Sequence, residues 1–250
     1  MLIFEYPFNE TVRSLLRLEY LFGRLGVFLN SDHPEHHLTA IGLIFDIGEV
    51  TSRADLKSNL LKELERQRSL LNSFRSEASV NAVALESTIV EIETCLSTLN
   101  NLVGKPSLIM NESEWLSMIR TRLTIPGGTS PIDLPSFYSW QQRPAEDRRA
   151  QLMTYMPAFG DWKLTCDLYL KLLRQSADFQ KVISENGAYQ QMLSGKTYQM
   201  IRVQIEQSDL VPEISANKHM LWIRFLQNSI TSKPQPITAN ITFALTLCNL

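Results

Sequence analysis

The chain has 250 residues, 44% apolar and 20% charged, the composition of a folded protein with room for one large domain or two small ones. Its formal net charge of −2 excludes a global pull toward nucleic acid or an anionic membrane, so any basic site must be local. Cys95, Cys166 and Cys248 are far apart and form no Cys-x-x-Cys pair, which argues for reduced core thiols rather than a disulfide framework.

The N-terminal MLIFEYPFNE lacks the basic start of a signal peptide. No apolar run approaches the roughly 20 residues that span a bilayer. The expectation is a cytoplasmic protein without membrane insertion.

Residues 2–6, LIFEY, alternate briefly before Pro7 and read as a short strand. Asn9 suits an N-cap, and Val12, Leu15, Leu16, Leu18, Phe22 and Leu25 mark the apolar face of a helix that Gly26 is expected to stop. Pro34 suits the first turn of a second helix, with Leu38, Ile41, Ile44 and Phe45 as its buried stripe and Gly48 as its end.

From Asp55 to Arg75, residues Leu60, Leu64, Gln67, Leu71 and Phe74 follow a spacing of 4, 3, 4, 3. Beyond the polar SEASVN turn, Leu85, Ile89, Ile92, Leu96, Leu99 and Val103 continue it. This heptad repeat keeps one seam of each helix turned toward a partner. The pair reads as an antiparallel hairpin within one subunit, or as a hairpin that also meets a second copy. Gly104 and Pro106 end it, and a short helix from about Glu112 to Arg122 follows.

The stretch from Met118 to Trp140, MIRTRLTIPGGTSPIDLPSFYSW, organises the chain. Arg120 and Arg122 lead into Pro126, which removes a backbone donor, and into Gly127 and Gly128, which accept positive φ, so no helix is expected to cross. Pro131 and Pro135 predict an extended segment, and Phe137, Tyr138 and Trp140 an aromatic cluster. Two more helices are expected: one opened by Pro144, and one capped by Asp161 with Leu164, Leu168 and Leu172 on its face, widened by Cys166, Tyr169 and Leu173.

After Ser176 the period changes. Phe179, Lys181 and Ile183 precede Asn186-Gly187, a two-residue hairpin signal. Ile201, Val203 and Ile205 alternate with polar residues. Leu221, Ile223 and Phe225 alternate with Trp222, Arg224 and Leu226. Ile237, Ala239, Ile241, Phe243, Leu245 and Leu247 share one face, with Thr238, Asn240, Thr242 and Thr246 opposite. This two-residue period predicts antiparallel sheet packed on one side. The expected fold is α+β: a helical domain over 1–177 and an antiparallel β-domain over 178–250, joined by the strand at 2–6.

Charge divides almost evenly. From Asp178 onward there are six Lys and Arg against five acids, leaving 18 against 21 in the helical part. Neither part is the polycation that nucleic-acid binding calls for.

Asp32, His33, Glu35, His36 and His37 crowd the start of the second helix, as a metal set or as a solvated helix start; His33 and His37 share a face only if the helix begins before Pro34. Gly127-Gly128 is an anion loop or an ordinary turn. The sequence lacks the nucleophile-elbow, P-loop, dinucleotide and zinc-protease motifs, so neither catalysis nor a cofactor is expected. Arg224 lies outward beside Met220 and Trp222 if Leu221, Ile223 and Phe225 face the core. An arginine beside an exposed aromatic suits a peptide with a carboxylate and an apolar anchor. The bland alternative makes Trp222 the core of a second layer and Arg224 merely solvated.

A set of blocks in fixed order resembles ZapD, the Z-ring-associated family of bacterial cell division: FEYPFNE (4–10), LLRLEYL (15–21), LLKELERQR (60–68), RLTIPGG (122–128) with DLP (133–135) and Trp140, LLRQSADF (172–179), NGAYQ (186–190) and IRF (223–225). The resemblance implies a helical domain plus a β-domain, a symmetric homodimer without enzymatic activity, and binding to the C-terminal tail of FtsZ that cross-links filaments at midcell. It places the tail on a basic surface involving the β-domain, at the position of Arg224. Trp222 stands beside it, and Lys218, His219, Arg120 and Arg122 are further candidates. Met220, and Ile47 before Gly48, depart from the basic residues that the resemblance leads one to expect. A nucleic-acid adaptor and a hydrolase with a non-local site are the other classes, and no charge stripe or motif supports either.

Overall fold

The computed structural model describes residues 1–77, 79–102, 104, 106–107 and 112–250, and only the backbone of residue 54. The fold is α+β, and the chain divides into two compact units, Ser14–Tyr169 and Met1–Arg13 with Leu170–Leu250. The divisions fall within the first and last helices described below.

Helix α1 (Glu10–Leu29) starts as Asn9 dictates, its Oδ1 accepting the Val12 amide at 2.8 Å. Gly26 does not stop it. An interior glycine costs about 1 kcal/mol, less than the roughly 1.5–3 kcal/mol available from burying a leucine, and the added turn buries Leu29 to 7% exposure. Likewise α2 (Pro34–Thr51) runs past Gly48 and buries Thr51.

Helices α3 (Ala54–Ser73) and α4 (Ala82–Asn101) form the antiparallel pair. Lys57 Nζ reaches the Leu102 carbonyl at 3.0 Å at one end, and Arg75 holds Glu86 through two 2.8 Å hydrogen bonds at the other. The heptad positions Leu60, Leu64, Gln67, Leu85, Ile89, Ile92, Leu96 and Leu99 are buried. Phe74 breaks the pattern: it opens a 3₁₀ turn, Phe74–Ser76, and is 38% exposed. Val103, the last expected seam residue, lies outside the described residues.

Helix α5 (Glu114–Leu123) is capped by Ser113. The break that follows is tightly turned: the Gly128 amide donates to the Ile125 carbonyl at 2.9 Å, and the Leu134 amide to Ser130 at 2.9 Å. The extended segment expected around Pro131 and Pro135 is therefore absent, and Pro135 instead opens α6 (Pro135–Gln141). On that helix Phe137 and Trp140 stack with centroids 5.5 Å apart. This helix was not anticipated, because seven residues carry too little periodicity to register.

Helix α7 spans Ala145–Met153 and α8 Pro157–Gln175. Opening at Pro157 places Asp161 inside α8 rather than at its cap. It also turns the buried face onto Phe159, Trp162, Cys166, Tyr169 and Leu173, leaving Leu164 48% exposed.

The remaining strands are β1 (Leu2–Pro7), β2 (Gln180–Ser184), β3 (Ala188–Met192), β4 (Met200–Ile205), β5 (Leu210–Ala216), β6 (Met220–Gln227), β7 (Gln235–Pro236) and β8 (Ile241–Cys248). They form two antiparallel sheets, β1-β4-β8-β2 and β3-β6-β5, with β7 on β6. One core joins the sheets: Ile201, Val203, Phe243 and Leu245 from the first meet Leu221, Ile223 and Phe225 from the second, and Phe225 meets Phe243 edge-on at 4.9 Å.

Three details differ from the alternation pattern. Asn186 and Gly187 take φ of 50° and 72°, as a tight turn needs, yet β2 and β3 leave that turn into different sheets and share only the Glu185–Ala188 bridge. Ile237 and Ala239 precede β8 instead of belonging to it. Thr246 and Cys248, on the polar side of β8, are buried. That side carries Glu5, which accepts from Arg174 at 2.8 and 2.7 Å and from Arg202 at 3.0 Å. A sheet covered on both sides cannot show a clean polar alternation.

Candidate functional site

The β5–β6 hairpin and β3 build the face on which the sequence candidates meet. Alternation along β6 sends Leu221, Ile223 and Phe225 inward, all at most 1% exposed, so Trp222 and Arg224 must face out. Trp222 is 38% exposed, which excludes its role as the core of a second layer. It stands between Gln190 of β3 and Ser215 of β5, and Arg224 between Ala188 and Glu213.

Arg224 Nη1 lies 3.9 Å from Glu213 Oε2, with both side chains more than 60% exposed. Such a solvated pair holds the guanidinium only weakly. A shallow depression of about 380 Å³ runs over Gln190, Ser215, Trp222 and Arg224.

Lys218 and His219 occupy the β5–β6 turn. Asn217 shapes it, its Oδ1 accepting the amides of His219 at 2.8 Å and Met220 at 3.0 Å. Both basic side chains are exposed. Lys196, Lys218, His219 and Arg224 on and around this face outnumber its one carboxylate, Glu213, on a chain that is acidic overall.

Arg120 and Arg122 belong to the helical unit and have neighbours of their own. Arg120 Cζ sits 5.6 Å from the Phe45 ring centroid, and Arg122 lies 3.7 Å from Asp133. Ile47 is fully buried in α2 and so takes no part in any surface.

The histidine-rich segment is only partly a solvated helix start. His33 Nδ1 caps the Glu35 amide at 3.2 Å, and His36 shares a 2.7 Å hydrogen bond with Ser31. His37 is fully buried and accepts from Arg148 Nε at 3.1 Å. Burial, and then the Arg148 charge, push its pKa below the ordinary histidine value. Among the described residues no group of three or more His, Cys, Asp or Glu is arranged to hold a metal, and no helix is long and apolar enough to cross a membrane.

Sequence reasoning missed β5, because Pro212 and Glu213 interrupt its apolar run; Pro212 is tolerated since β5 ends its sheet. It therefore missed Glu213, the carboxylate beside Arg224. It also missed Met192 of β3, 73% exposed and paired with Met220. Counting on from the Asn-Gly turn would have placed it.

The family model described as ZapD, cell division protein, matches residues 16–224. Curated relatives named cell division protein ZapD align over the whole of both chains. Those of Cupriavidus taiwanensis and Cupriavidus necator are 47% identical over 251 residues, and that of Ralstonia pickettii is 46% identical.

Proposed function

The chain belongs to the ZapD family of cell division proteins, and from that premise we propose that it acts without catalysis, binding the C-terminal tail of FtsZ and, as a homodimer, cross-linking FtsZ filaments at midcell. The observation that carries the reading is the exposed Trp222–Arg224 pair on β6, with Lys218 and His219 at the adjoining turn. An apolar ring beside a weakly held guanidinium offers an anchor and a carboxylate partner to one short peptide.

A tail that is disordered when free loses ordering entropy on binding, so each site binds modestly. Two sites on one dimer bridge two filaments, and repetition along the filaments supplies avidity. The α3–α4 hairpin supports self-association. Its seam is buried within the chain, yet Leu70, Phe74, Val83 and Val90 remain 38–81% exposed.

Co-sedimentation of FtsZ polymer tests the reading. The protein should pellet with polymer and bundle it, and should do neither with FtsZ lacking its C-terminal tail. Equal co-pelleting with tail-less FtsZ would overturn it.

A further inference from the structure

The open edge of β3 has a hydrogen-bonding order that can be read from its neighbours. Phe225 N–H donates to the Gly187 carbonyl at 2.8 Å, and Leu193 N–H to the His219 carbonyl at 2.8 Å. In the same register Tyr189 stands opposite Ile223 and Gln191 opposite Leu221. Bonded pairs alternate in an antiparallel ladder, so 187, 189, 191 and 193 bond β6. The intervening residues point their backbone groups the other way. Ala188 satisfies both of its groups on Glu185. Gln190 and Met192 turn an N–H and a C=O outward, and β3 ends its sheet.

Sheet-ending strands are ordinarily guarded by charge or proline. β1 carries Glu5 and Pro7, β2 carries Lys181, and β5 carries Pro212 and Glu213, whereas β3, AYQQM, has neither device. Because β2 and β3 diverge into separate sheets, a slot of about 240 Å³ opens behind this edge, lined by Asp178, Gln180, Val182, Tyr189, Gln191 and Tyr198.

We propose that β3 is the receiving edge for an extended peptide that adds to the β3-β6-β5 sheet as a further strand; this rests on the tail-binding reading above and specifies how the tail is held. Opposed residues of an antiparallel pair share a face. Peptide residues opposite Gln190 and Met192 therefore lie on the outer face beside Met220 and Trp222, and the residue opposite Gln191 faces the slot, whose Gln180, Gln191 and tyrosines suit a small or polar side chain. Charge along the edge is basic at the Met192 end, through Lys196 and Lys218, and mixed at the Ala188 end, where Arg224 stands with Glu213 and Glu185.

The test uses a labelled synthetic FtsZ tail peptide and the full-length protein, with affinity read by fluorescence anisotropy. Gln190→Pro removes one outward donor and blocks the edge while leaving the bonds of Tyr189 and Gln191 to β6 in place. It should weaken binding about tenfold or more, with the circular dichroism spectrum unchanged. Peptides N-methylated at alternate amides check the same point on the unaltered protein, should the variant not fold: one alternate set should lose binding and the other keep it. Equal binding by both sets, or wild-type affinity of a folded Gln190→Pro, overturns strand addition. Loss of binding in Arg224→Glu alone would then leave the tail reading standing, and no loss in any variant would remove both.

Discussion

Arg148 donates from Nε to Nδ1 of His37 at 3.1 Å, and both side chains are buried, at 4% and 0% exposure. With Nδ1 accepting, the ring is neutral and its proton sits on Nε2, which makes no hydrogen bond of ordinary geometry; the Ser31 and Leu29 backbone near the ring favours its charged form, but less than burial and Arg148 disfavour it. Arg148 also donates to the carbonyls of Gln141 and Asp32, tying α7 to the end of α6 and to the approach to α2.

This pair predicts acid sensitivity. His37 refuses a proton that the unfolded chain accepts near pH 6.5, so its contribution is complete above that pH and is lost as pH falls below it. The unfolding free energy of wild type should drop between pH 7 and 5, by at most about 1.4 kcal/mol per pH unit from this group, and the thermal midpoint with it. His37→Asn, which keeps an acceptor near Nδ1 and cannot titrate, should show a flatter profile; identical slopes would remove His37 as the cause.

The opposite sign of shift holds at Glu5. Burial pushes its carboxyl up, but the hydrogen bonds and charges of Arg174 and Arg202 outweigh it and hold the pKa below the ordinary carboxylate value. The ionised form is thus favoured on folding, and that stability is lost as pH falls through the acid range. Glu5→Gln, which leaves two arginines facing a neutral amide, should cost on the order of 3 kcal/mol by chemical denaturation at pH 7. A loss under about 0.5 kcal/mol would place the group among weak surface pairs.

Gly127 and Gly128 should both resist alanine, for different reasons. Gly127 holds φ at +71° with open space around it, so alanine strains the backbone, by about 1 kcal/mol. Gly128 does not need positive φ, but a Cβ there would stand 2.6 Å from the Arg122 carbonyl oxygen and 2.9 Å from Ile125 Cβ. Thermal melts should show the larger loss for Gly128→Ala, and equal or raised stability in both would make the break an ordinary loop.

On the proposed tail site, Arg224→Glu should weaken peptide binding by about tenfold or more, since a charge-assisted hydrogen bond is worth roughly 1.5–3 kcal/mol and repulsion replaces it. Stability should change little, because the Glu213 partner is solvated. Wild-type affinity should fall with salt as screening shortens to about 10 Å at 0.1 M. If Trp222→Ala abolishes binding while Arg224→Glu binds as wild type, the ring rather than the charge is the anchor.

For assembly, light scattering behind size exclusion should return about twice the 28.6 kDa chain mass. A monomer at micromolar concentration defeats bridging, since one tail site cannot join two filaments.

Local chemistry was legible in the residues alone wherever one side chain or one short period decides the backbone. Asn9 starts α1, the heptads pair α3 with α4, Asn186-Gly187 turns the chain, and alternation sends Arg224 outward; each acts within a few residues of itself. Competition between distant parts was not legible. Gly26 yields to the burial of Leu29, His37 is drawn inside by an arginine 111 positions away, and Glu5 draws Arg174 and Arg202 onto a side of the sheet that alternation marks as polar. The same holds for the candidate face: the turn before β3 is a property of two residues, but its strands go to separate sheets because β8 and β6 offer better partners than β2 and β3 offer each other. Burial and strand pairing are settled by what the rest of the chain brings near, so the open edge and the slot behind it exist only in the folded molecule.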